Sequence, residues 1–475
     1  MKRLVAVAAL GAALAVPTGA TAGSAPNDPL APRQWYLARD RALGVFDAAQ
    51  QLLAVRVAVI DSGIDFSHPE LKGRIVAAWS FVGGSVSDAL GHGTFVAGEI
   101  AAIADNGVGI AGIAPPARLI VAKVVRDDGS IPPRAEARAI RWAVRSGARV
   151  INLSFGSIRD PSDPSRDGFS DRERRAIQFA VRRGVLVVAA AGNGHSAPQR
   201  PWPYASYPAA FPHVLGVGAY GRSGGVPSFS NRDDQYVDLA APGMDIVSLF
   251  PRSLTARYTS CADQGYSICG PKEYRHADGT SFSSPQVTGA AAVLLGELPL
   301  LRPDQVGAIL KSSAGDATPA SGCDSCSPGP DPLTGFGRLD VGSALDALQG
   351  NLPAPDRLEP NDDVGVAATI SGQRSMRATL DWWDDPTDLY RVYLRRGQGI
   401  SVLVRSSKVD PSIVLWKPGL RSLSKARSDL RARRSIHGPG VPERLAYRAS
   451  KGGWYSLQVK LARPGFGPYR IRLTF

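Results

Sequence analysis

Long apolar runs are missing from almost the whole sequence. After residue 22, no segment reaches about 18 uninterrupted apolar residues, the length that a membrane-spanning helix needs. The first residues, MKRLVAVAALGAALAVPTGATAG, combine a basic start, an apolar stretch and small residues before Gly23. This pattern is typical of a secretory signal peptide, so we predict that residues 1–22 are removed and that the protein is secreted, with no membrane partner afterwards. A short membrane anchor is the alternative interpretation.

Cysteine is scarce, with four in the chain: Cys261, Cys269, Cys323 and Cys326. Few cysteines, close together in pairs, suit an oxidising compartment. Of the three possible pairings we favour two local disulfides, Cys261–Cys269 and Cys323–Cys326. A zinc site at Cys323 and Cys326 is the alternative, but no second CxxC motif or pair of histidines follows at ligand spacing.

Short β-branched runs alternate with helical patterns from about residue 55 onward. The runs are strongly apolar: VRVAVID, ARLIVAKVV, ARVINLSF, GVLVVAAAGN and HVLGVGAY. Segments with helical spacing of apolar residues separate several of them, such as HGTFVAGEIAAIA and DRERRAIQFAVRRG. Apolar strands separated by helices predict an α/β fold, in which helices cover both faces of a doubly wound, mostly parallel sheet.

The composition and the periodicity of the sequence change near residue 350. The stretch GNLPAPDRLEPNDD is rich in Pro and Asp, which predicts a linker over residues 350–361. Short alternating segments follow, among them ISVLVRSS, GGWYSLQVKL and PYRIRLTF, and no long helical period competes with them. We therefore predict one domain over residues 27–349 and a small all-β sandwich domain over residues 362–475.

The excess of positive charge is confined to the signal segment and the second domain. Residues 4–350 are neutral overall, whereas residues 351–475 hold 22 Lys and Arg against 11 Asp and Glu. Such a surface can attract an anionic cell-surface polymer, which is one predicted partner. An arginine-rich solvated face without a partner is the alternative. Nucleic acid is not indicated, because no stacking module or binding motif accompanies the charge.

Histidine is also scarce, with six in the chain, so the search for a general base is short. His92 lies between two glycines at the start of a helical pattern, where other groups can approach closely. Asp61 and Asn193 follow apolar strands, and active sites of open α/β sheets lie at the carboxyl ends of strands. Ser281, in GTSFSSPQVTG, is part of a helix cap or a nucleophile held at a helix start, and one residue can be both. No G-x-S-x-G motif surrounds it, which disfavours an α/β-hydrolase esterase.

Six sequence blocks together resemble the signature blocks of the subtilisin-like serine proteases, the subtilase family. They are VAVIDSGIDFSHPEL, GHGTFVAGEIAA, NGVGIAGIAP, VINLSFG, VVAAAGN and GTSFSSPQVTG, in the family's order of Asp, then His, then Ser. The resemblance covers about residues 27–349. It implies a serine endopeptidase that cleaves proteins or peptides through an acyl-enzyme, with no cofactor required for the chemistry. More loosely, EPNDD and GGWYSLQV resemble bacterial pre-peptidase β-sandwich domains.

The resemblance implies a role for each of the four polar residues. Ser281 would be the nucleophile, His92 the general base and then acid, and Asp61 the carboxylate that orients His92. Asn193 would donate its side-chain amide to the developing oxyanion, together with the backbone N–H of Ser281. A catalytically inert binding or scaffold protein built on a protease fold is the alternative, and the intact set of four residues argues against it.

Substrate contacts are implied in the same way. Ser154, Phe155 and Gly156 resemble the strand that pairs with the extended backbone of a substrate. Ala190 and Gly192 resemble the opposite wall of the pocket for the residue before the scissile bond.

Two positions near the nucleophile depart from the family's pattern. Phe282 stands where the family usually has Met, and Gln286 stands where it usually has His. Neither belongs to the triad, so we expect both changes to leave the chemistry intact.

A structural calcium ion is a further implication of the resemblance. Gln34, Glu70 and Asn106 fall where a calcium site of the family draws side-chain oxygens, and calcium prefers oxygen ligands. A hydrogen-bonded loop without metal is the alternative interpretation.

Overall fold

The structure is a computed structural model of the 475-residue chain, described over residues 24–255, 268–269, 273–370 and 375–475. The predicted signal peptide lies outside the described residues, and so do the side chains of the predicted Cys261–Cys269 disulfide. Cys323 and Cys326 are joined by a disulfide, in agreement with the local pairing expected for them. Within the described ranges, no helix is both long and apolar enough to cross a bilayer.

A seven-stranded sheet forms the centre of the first domain. Its strands are β1 Arg56–Asp61, β2 Ile75–Ser80, β3 Arg118–Lys123, β4 Val150–Leu153, β5 Leu186–Ala190, β6 Val214–Tyr220 and β7 Leu239–Pro242. They lie in the order β2-β3-β1-β4-β5-β6-β7, and every neighbouring pair is parallel. The strands from β3 to β7 are buried along nearly their whole length, as strands covered on both faces should be. The predicted parallel α/β sheet is confirmed.

Helices cover both faces of this sheet. The α-helices of the described residues are α1 Trp35–Arg39, α2 Gly44–Ala48, α3 His92–Ala101, α4 Pro133–Arg145, α5 Asp171–Arg182, α6 Thr280–Glu297, α7 Pro303–Ser312 and α8 Val341–Ala347. On one face α3 and α6 share a core with Val57 and Val59 of β1. On the other face α4 and α5 pack against Ala58 and Ile60 of the same strand. This division follows from the period of two in a strand, which sends alternate side chains to opposite faces.

The order of the strands defines where a ligand can bind. From β1 the chain continues to β2 and β3 on one side of β1, and then crosses to β4 on the other side. The carboxyl ends of β1 and β4 therefore border a topological switch point, where open α/β sheets bind their ligands. A small antiparallel sheet, ordered β8-β10-β9, leads the chain into α6; its strands are β8 Ile246–Leu249, β9 Ile268–Cys269 and β10 Tyr274–Ala277.

Two further sheets form the second domain and enclose one core. The strands are β11 Ala368–Thr369, β12 Ser375–Asp381, β13 Thr387–Leu394, β14 Gly399–Arg405, β15 Pro411–Trp416, β16 Arg431–Ser435, β17 Glu443–Arg448, β18 Gly453–Leu461 and β19 Phe466–Thr474. One sheet has the order β11-β13-β18-β15-β16 and the other β12-β19-β14-β17. Tyr390, Tyr455 and Tyr469 are its largest fully buried side chains. This agrees with the predicted all-β sandwich.

The two domains meet around a buried lysine. Lys311 of α7 is 3% exposed, and its Nζ lies 2.6 Å from Asp381 and 3.3 Å from Asp384 of the second domain. The same Nζ lies 3.4 Å from Asp238 of the first domain. Because one cation serves carboxylates from both sides, it contributes to holding the domains together.

We expect Lys311→Met to lower the free energy of unfolding by about 3–5 kcal/mol, because it leaves buried carboxylates without their cation. Urea denaturation followed by tryptophan fluorescence would measure the loss. Lys72→Met is the control, since Lys72 is exposed and forms no ion pair with the described residues. Equal changes in the two variants would contradict the role of the buried lysine.

Candidate active site

Asp61 and His92 meet at the carboxyl edge of the sheet. Asp61 ends β1, His92 begins α3, and His92 Nδ1 lies 2.8 Å from Asp61 Oδ1. The glycine that follows His92 makes this approach possible. A Cβ at Gly93 would lie 2.3 Å from the carbonyl oxygen of Gly63 and 3.2 Å from the Cβ of Asp61. A larger residue there would push the helix start, and His92 with it, away from β1.

The surroundings of His92 hold the pKa of its imidazole above the usual value of 6.5. Burial lowers this pKa, but the charge and hydrogen bond of Asp61 outweigh the effect of burial, and the Asp88 carboxylate adds to the increase. Asp61 is fully buried, and its Oδ1 also accepts the backbone N–H of Ser62 at 2.7 Å. A carboxylate only accepts hydrogen bonds, so Nδ1 of the neutral imidazole carries the proton and Nε2 is the nitrogen that can accept one.

Ser281 is the second residue of α6, a helix that is buried along nearly its whole length. Gly279 directly precedes this helix and has a φ of 152°, a backbone conformation that residues with a side chain rarely adopt. The Ser281 hydroxyl donates to the carbonyl of Ser154 at 3.0 Å, while the hydroxyl of Ser154 donates to the carbonyl of Ser281 at 2.7 Å. The ring of Phe282 lies 5.5 Å from the imidazole of His92, so the start of α6 touches the start of α3.

Asn193 lies just beyond the end of β5 and faces the same helix start. Its Oδ1 accepts the backbone N–H of Thr280 at 2.9 Å and the hydroxyl of Thr280 at 2.8 Å. These two bonds fix the amide plane and leave the NH₂ group for another acceptor. The amide nitrogen lies beside the turn before Ser281, since a Cβ at Gly279 would be 3.2 Å from it.

A cavity of about 180 Å³ opens between these elements. It is lined by Ser281, Asn193 and four of the five predicted substrate contacts, namely Phe155, Gly156, Ala190 and Gly192. The fifth, Ser154, is buried and hydrogen-bonded to Ser281. The structure therefore brings the predicted hydroxyl, amide and substrate contacts to one place, at the carboxyl ends of β4 and β5.

Two glycines keep this cavity open. A Cβ at Gly156 would lie 2.5 Å from the carbonyl oxygen of Tyr207. Gly192 has φ of 103°, and a Cβ there would lie 2.3 Å from Ser206 Oγ. Neither position can take a side chain without moving the backbone or the cavity wall.

Sequence reasoning missed several residues of the cavity wall, among them Ile158, His195, Trp202, Ser206 and Asn231. Asn231 Nδ2 donates to the carbonyl of Ala191 at 3.1 Å and to Ser206 Oγ at 3.1 Å, so it fixes this wall. No local signal marks these residues, because they lie in loops without strand or helix periodicity and reach the cavity only through the tertiary fold.

The predicted calcium ligands lie beside one loop, but their oxygens are already engaged. Both carboxylate oxygens of Glu70 accept hydrogen bonds, one from Asn106 Nδ2 at 3.2 Å and one from the backbone of Ile110 at 3.2 Å. Gln34 Oε1 accepts the backbone N–H of Ala111 at 2.7 Å. Burial raises the pKa of Glu70 to about 7. This arrangement favours the hydrogen-bonded loop, and the calcium set in the first domain stays a prediction.

A second group of acidic side chains, at the domain junction, combines two carboxylates that His213 Nε2 contacts, at 3.0 Å for Asp362 and 3.1 Å for Glu359, with further oxygens that lack donors. Ligand atoms of His213, Glu359, Asp362 and Asp385 all lie within 4.8 Å of one another, and Asp388 lies beside Glu359. Asp385 is 6% exposed and Asp388 is 0% exposed. The Oδ1 atom of each is buried and accepts no hydrogen bond from the described residues. Buried carboxylate oxygens without donors suit a hard cation such as Ca²⁺.

A parallel α/β sheet with a Ser, a His–Asp pair and an amide donor at its carboxyl edge is typical of serine hydrolases. The family model of the subtilase family matches residues 54–337. The chain therefore belongs to the subtilase family of serine endopeptidases.

Individual relatives agree with the family assignment. Thermitase from Thermoactinomyces vulgaris is 33% identical over 273 residues, which cover 57% of this chain and 85% of thermitase. Fervidolysin from Fervidobacterium pennivorans is 33% identical over 325 residues, which cover 64% of this chain and 42% of fervidolysin. A solved protease structure from Pseudoalteromonas arctica PAMC 21717 matches with a TM-score of 0.55 at 27% identity, covering 68% of this chain and 99% of that one. The chain thus spans most of thermitase and less than half of fervidolysin.

We expect Asp61→Asn to lower the pKa of His92, because the charge that opposes the effect of burial is removed. The acidic limb of the pH–activity profile should move to lower pH with it, while turnover falls by roughly 10⁴-fold as the tautomer is no longer held. NMR titration of the imidazole protons would measure the pKa. Asp47→Asn, which changes an exposed carboxylate, should leave the titration of His92 unaltered. An unchanged pKa in Asp61→Asn would refute the electrostatic account.

Proposed function

We propose that the protein is a secreted serine endopeptidase that cleaves peptide bonds with Ser281, His92 and Asp61 through an acyl-enzyme. The observation that carries this proposal is the 2.8 Å contact between His92 and Asp61, beside a helix start that presents Ser281. The proposal of secretion rests on the signal pattern of residues 1–22.

In the first half of the reaction, Ser281 Oγ attacks the carbonyl carbon of the substrate. For this step the hydroxyl turns from the carbonyl of Ser154, to which it donates in the structure, toward His92 Nε2, which takes its proton. Asp61 keeps Nδ1 protonated and stabilises the imidazolium that forms. The carbonyl oxygen becomes an oxyanion, to which Asn193 Nδ2 and the backbone N–H of Ser281 donate. Both donors are positioned before the substrate arrives, one by its bonds to Thr280 and the other by the start of α6.

In the second half, His92 returns the proton to the leaving amine, and the acyl group stays on Ser281. Water then attacks the ester with His92 again as the base, which releases the carboxylic acid and restores the hydroxyl. Removal of one oxyanion donor costs roughly 10²–10³ in turnover in enzymes of this kind, so Asn193 carries a large share of the electrostatic stabilisation.

The substrate is proposed to bind as an extended strand along Phe155 and Gly156. An extended peptide can add main-chain hydrogen bonds at this edge, as in other cases of β-augmentation. The residue before the scissile bond would enter the cavity of about 180 Å³ past Ala190 and Gly192, whose small size leaves the wall open. Proteins and peptides are thus the proposed substrates.

We expect Ser281→Ala to lower turnover by about 10⁶-fold and to abolish labelling by a fluorophosphonate, since both need the hydroxyl. Mass spectrometry of the labelled protein should locate the probe on Ser281. Ser253→Ala removes an exposed serine and should leave both readouts unchanged. If the unaltered, folded protein neither takes the label nor cleaves peptides, the inert scaffold becomes the better interpretation.

We also propose that a structural calcium ion binds at the acidic group around His213, Glu359, Asp362 and Asp385. The buried carboxylate oxygens that lack donors support this site over the set of Gln34, Glu70 and Asn106. The ion would neutralise carboxylates that burial otherwise disfavours as charged groups. It takes no part in the peptidase steps.

Calcium chloride should therefore raise the midpoint of thermal unfolding, and chelation should lower it. Saturation at 100 times the dissociation constant corresponds to about 2.7 kcal/mol of stabilisation. Asp385→Asn should remove the calcium response, whereas Asp429→Asn, at an exposed carboxylate of the same domain, should keep it. If Glu70→Gln removes the calcium response instead, the ion binds at the first-domain set of Gln34, Glu70 and Asn106. If the unaltered protein shows no response to calcium, both proposed sites are excluded.

A further inference from the structure

The outward face of the sheet β12-β19-β14-β17 carries arginines that the proposed peptidase reaction does not use. Alternate residues of these strands point away from the core, and the exposed ones include Arg377, Arg405, Arg444, Arg470 and Arg472. Arg470 stands directly opposite Arg377 on β12 and opposite Arg405 on β14. Opposite residues on one face have Cβ atoms about 5 Å apart, so three guanidinium groups share a small area.

Nothing in the described chain neutralises these three cations. The guanidinium groups of Arg377, Arg405 and Arg470 make no ion pair and no hydrogen bond with any described residue. Like charges directly opposite one another destabilise a sheet. Repulsion between the three adjacent cations therefore lowers the stability of the folded domain, and a bound anion would relieve this repulsion.

The arginines surround a cavity of about 290 Å³. Its wall also contains the hydroxyl-bearing residues Thr379, Ser406 and Ser407, while Ala354 and Pro355 of the linker segment close one side. Among the described residues no Asp or Glu lines it, although Asp356 lies behind this wall, with its Oδ2 atom 3.2 Å from Thr379 Oγ1. Thr379 Oγ1 already donates to Asp356 and Ser406 Oγ to the carbonyl of Pro468, so the donors left for a ligand are the guanidinium groups and the hydroxyl of Ser407. Charged donors of this kind form the strongest hydrogen bonds to an oxyanion.

Charge over the rest of the domain favours an anionic ligand at longer range. Residues 389–475 hold 19 Lys and Arg but only three Asp and Glu, which are Asp410, Asp429 and Glu443. The other eight acidic residues of the stretch 351–475 all lie within residues 356–388, where several of them form the domain junction. The arginine face therefore lies in a positive field that would steer a polyanion toward it.

We propose that this face binds a polymer with repeated phosphate groups, of which one occupies the cavity between Arg377, Arg405 and Arg470. Guanidinium forks match phosphate oxygens, and several arginines can share one phosphate. Arg472 and Arg444 extend the row of cations beyond the cavity, so they can meet the next repeats of the chain.

The polymer has a polyol or sugar backbone rather than nucleobases. Single-stranded nucleic acids are bound through aromatic rings on which the bases stack. Tyr469 lines the cavity, but it is 2% exposed and its hydroxyl is hydrogen-bonded to Tyr390 and Asp388, so it offers no open face for stacking. Phe466, at the end of the same face, packs on Phe336 with ring centroids 5.3 Å apart. Poly(glycerol phosphate) is the simplest polymer with the required chemistry. This binding is separate from peptide cleavage and does not depend on it.

Binding of the full-length protein to immobilised poly(glycerol phosphate) tests the proposal. We expect the triple variant R377Q/R405Q/R470Q to bind about tenfold more weakly, as three exposed charge pairs of modest strength are lost. The matched control is R431Q/R433Q/R434Q, which removes three exposed arginines from β16 of the other sheet and changes the net charge equally. The control should bind like the unaltered protein, and binding should weaken as salt rises.

The other outcomes overturn the proposal. Equal weakening in both triple variants would mean diffuse attraction to a basic domain, without a site between the three arginines. Equally tight binding to single-stranded DNA would indicate nucleic acid, and equally tight binding to polygalacturonate would indicate a carboxylate ligand. Absence of binding by the unaltered protein would exclude the site. Unchanged peptide cleavage, with an unfolding midpoint no lower than that of the unaltered protein, verifies in each variant that the fold is intact.

Discussion

The packing of α3 against α6 determines where the imidazole lies relative to the nucleophilic hydroxyl proposed for this enzyme. The rings of Phe95 and Phe282 lie 4.5 Å apart between centroids, near the first turns of the two helices. Four residues further along each helix, about one turn, Gln286 Nε2 donates to Glu99 Oε2 at 3.2 Å. Because both helices are buried on the same face of the sheet, neither can slide without breaking these contacts. The side chains at the two helix starts therefore keep a fixed relation.

Gln286 shows how the family's pattern can change without losing this contact. The usual residue at this position is His, and the glutamine amide donates to the carbonyl of Phe282 at 2.7 Å and to that of Pro242 at 2.9 Å, as well as to Glu99. Burial raises the pKa of Glu99 well above its usual value, which disfavours a charge between the helices. The pair Glu99 and Gln286 thus supplies a nearly neutral polar link in a site that excludes water. The expectation that this departure leaves the chemistry intact stays a prediction.

Sequence reasoning reached the central strands because their apolar runs have two buried faces, and it reached the candidate site because strand ends and a helix start are local features. It missed β2, whose residues Val76 and Trp79 are exposed and interrupt the apolar pattern at the edge of the sheet. It also missed the acidic group at the junction, which joins positions as distant as His213 and Asp385. The tertiary fold alone brings such residues together, so no local sequence pattern predicts the group.

The second domain has an acidic surface at the junction and an arginine-rich surface on its outer sheet, and both follow from one uneven distribution of charge. Acidic residues face the first domain, where Lys311 and His213 supply cations, and the arginines face outward. Had the acids been spread evenly, they would have paired with the surface arginines and left the junction without its ionic contacts. Because the acidic residues are concentrated at the junction, they form ionic contacts with the first domain, which is neutral overall. The outer face of the sheet then keeps its positive charge. The same distribution that joins the domains therefore exposes an arginine face suited to an anion.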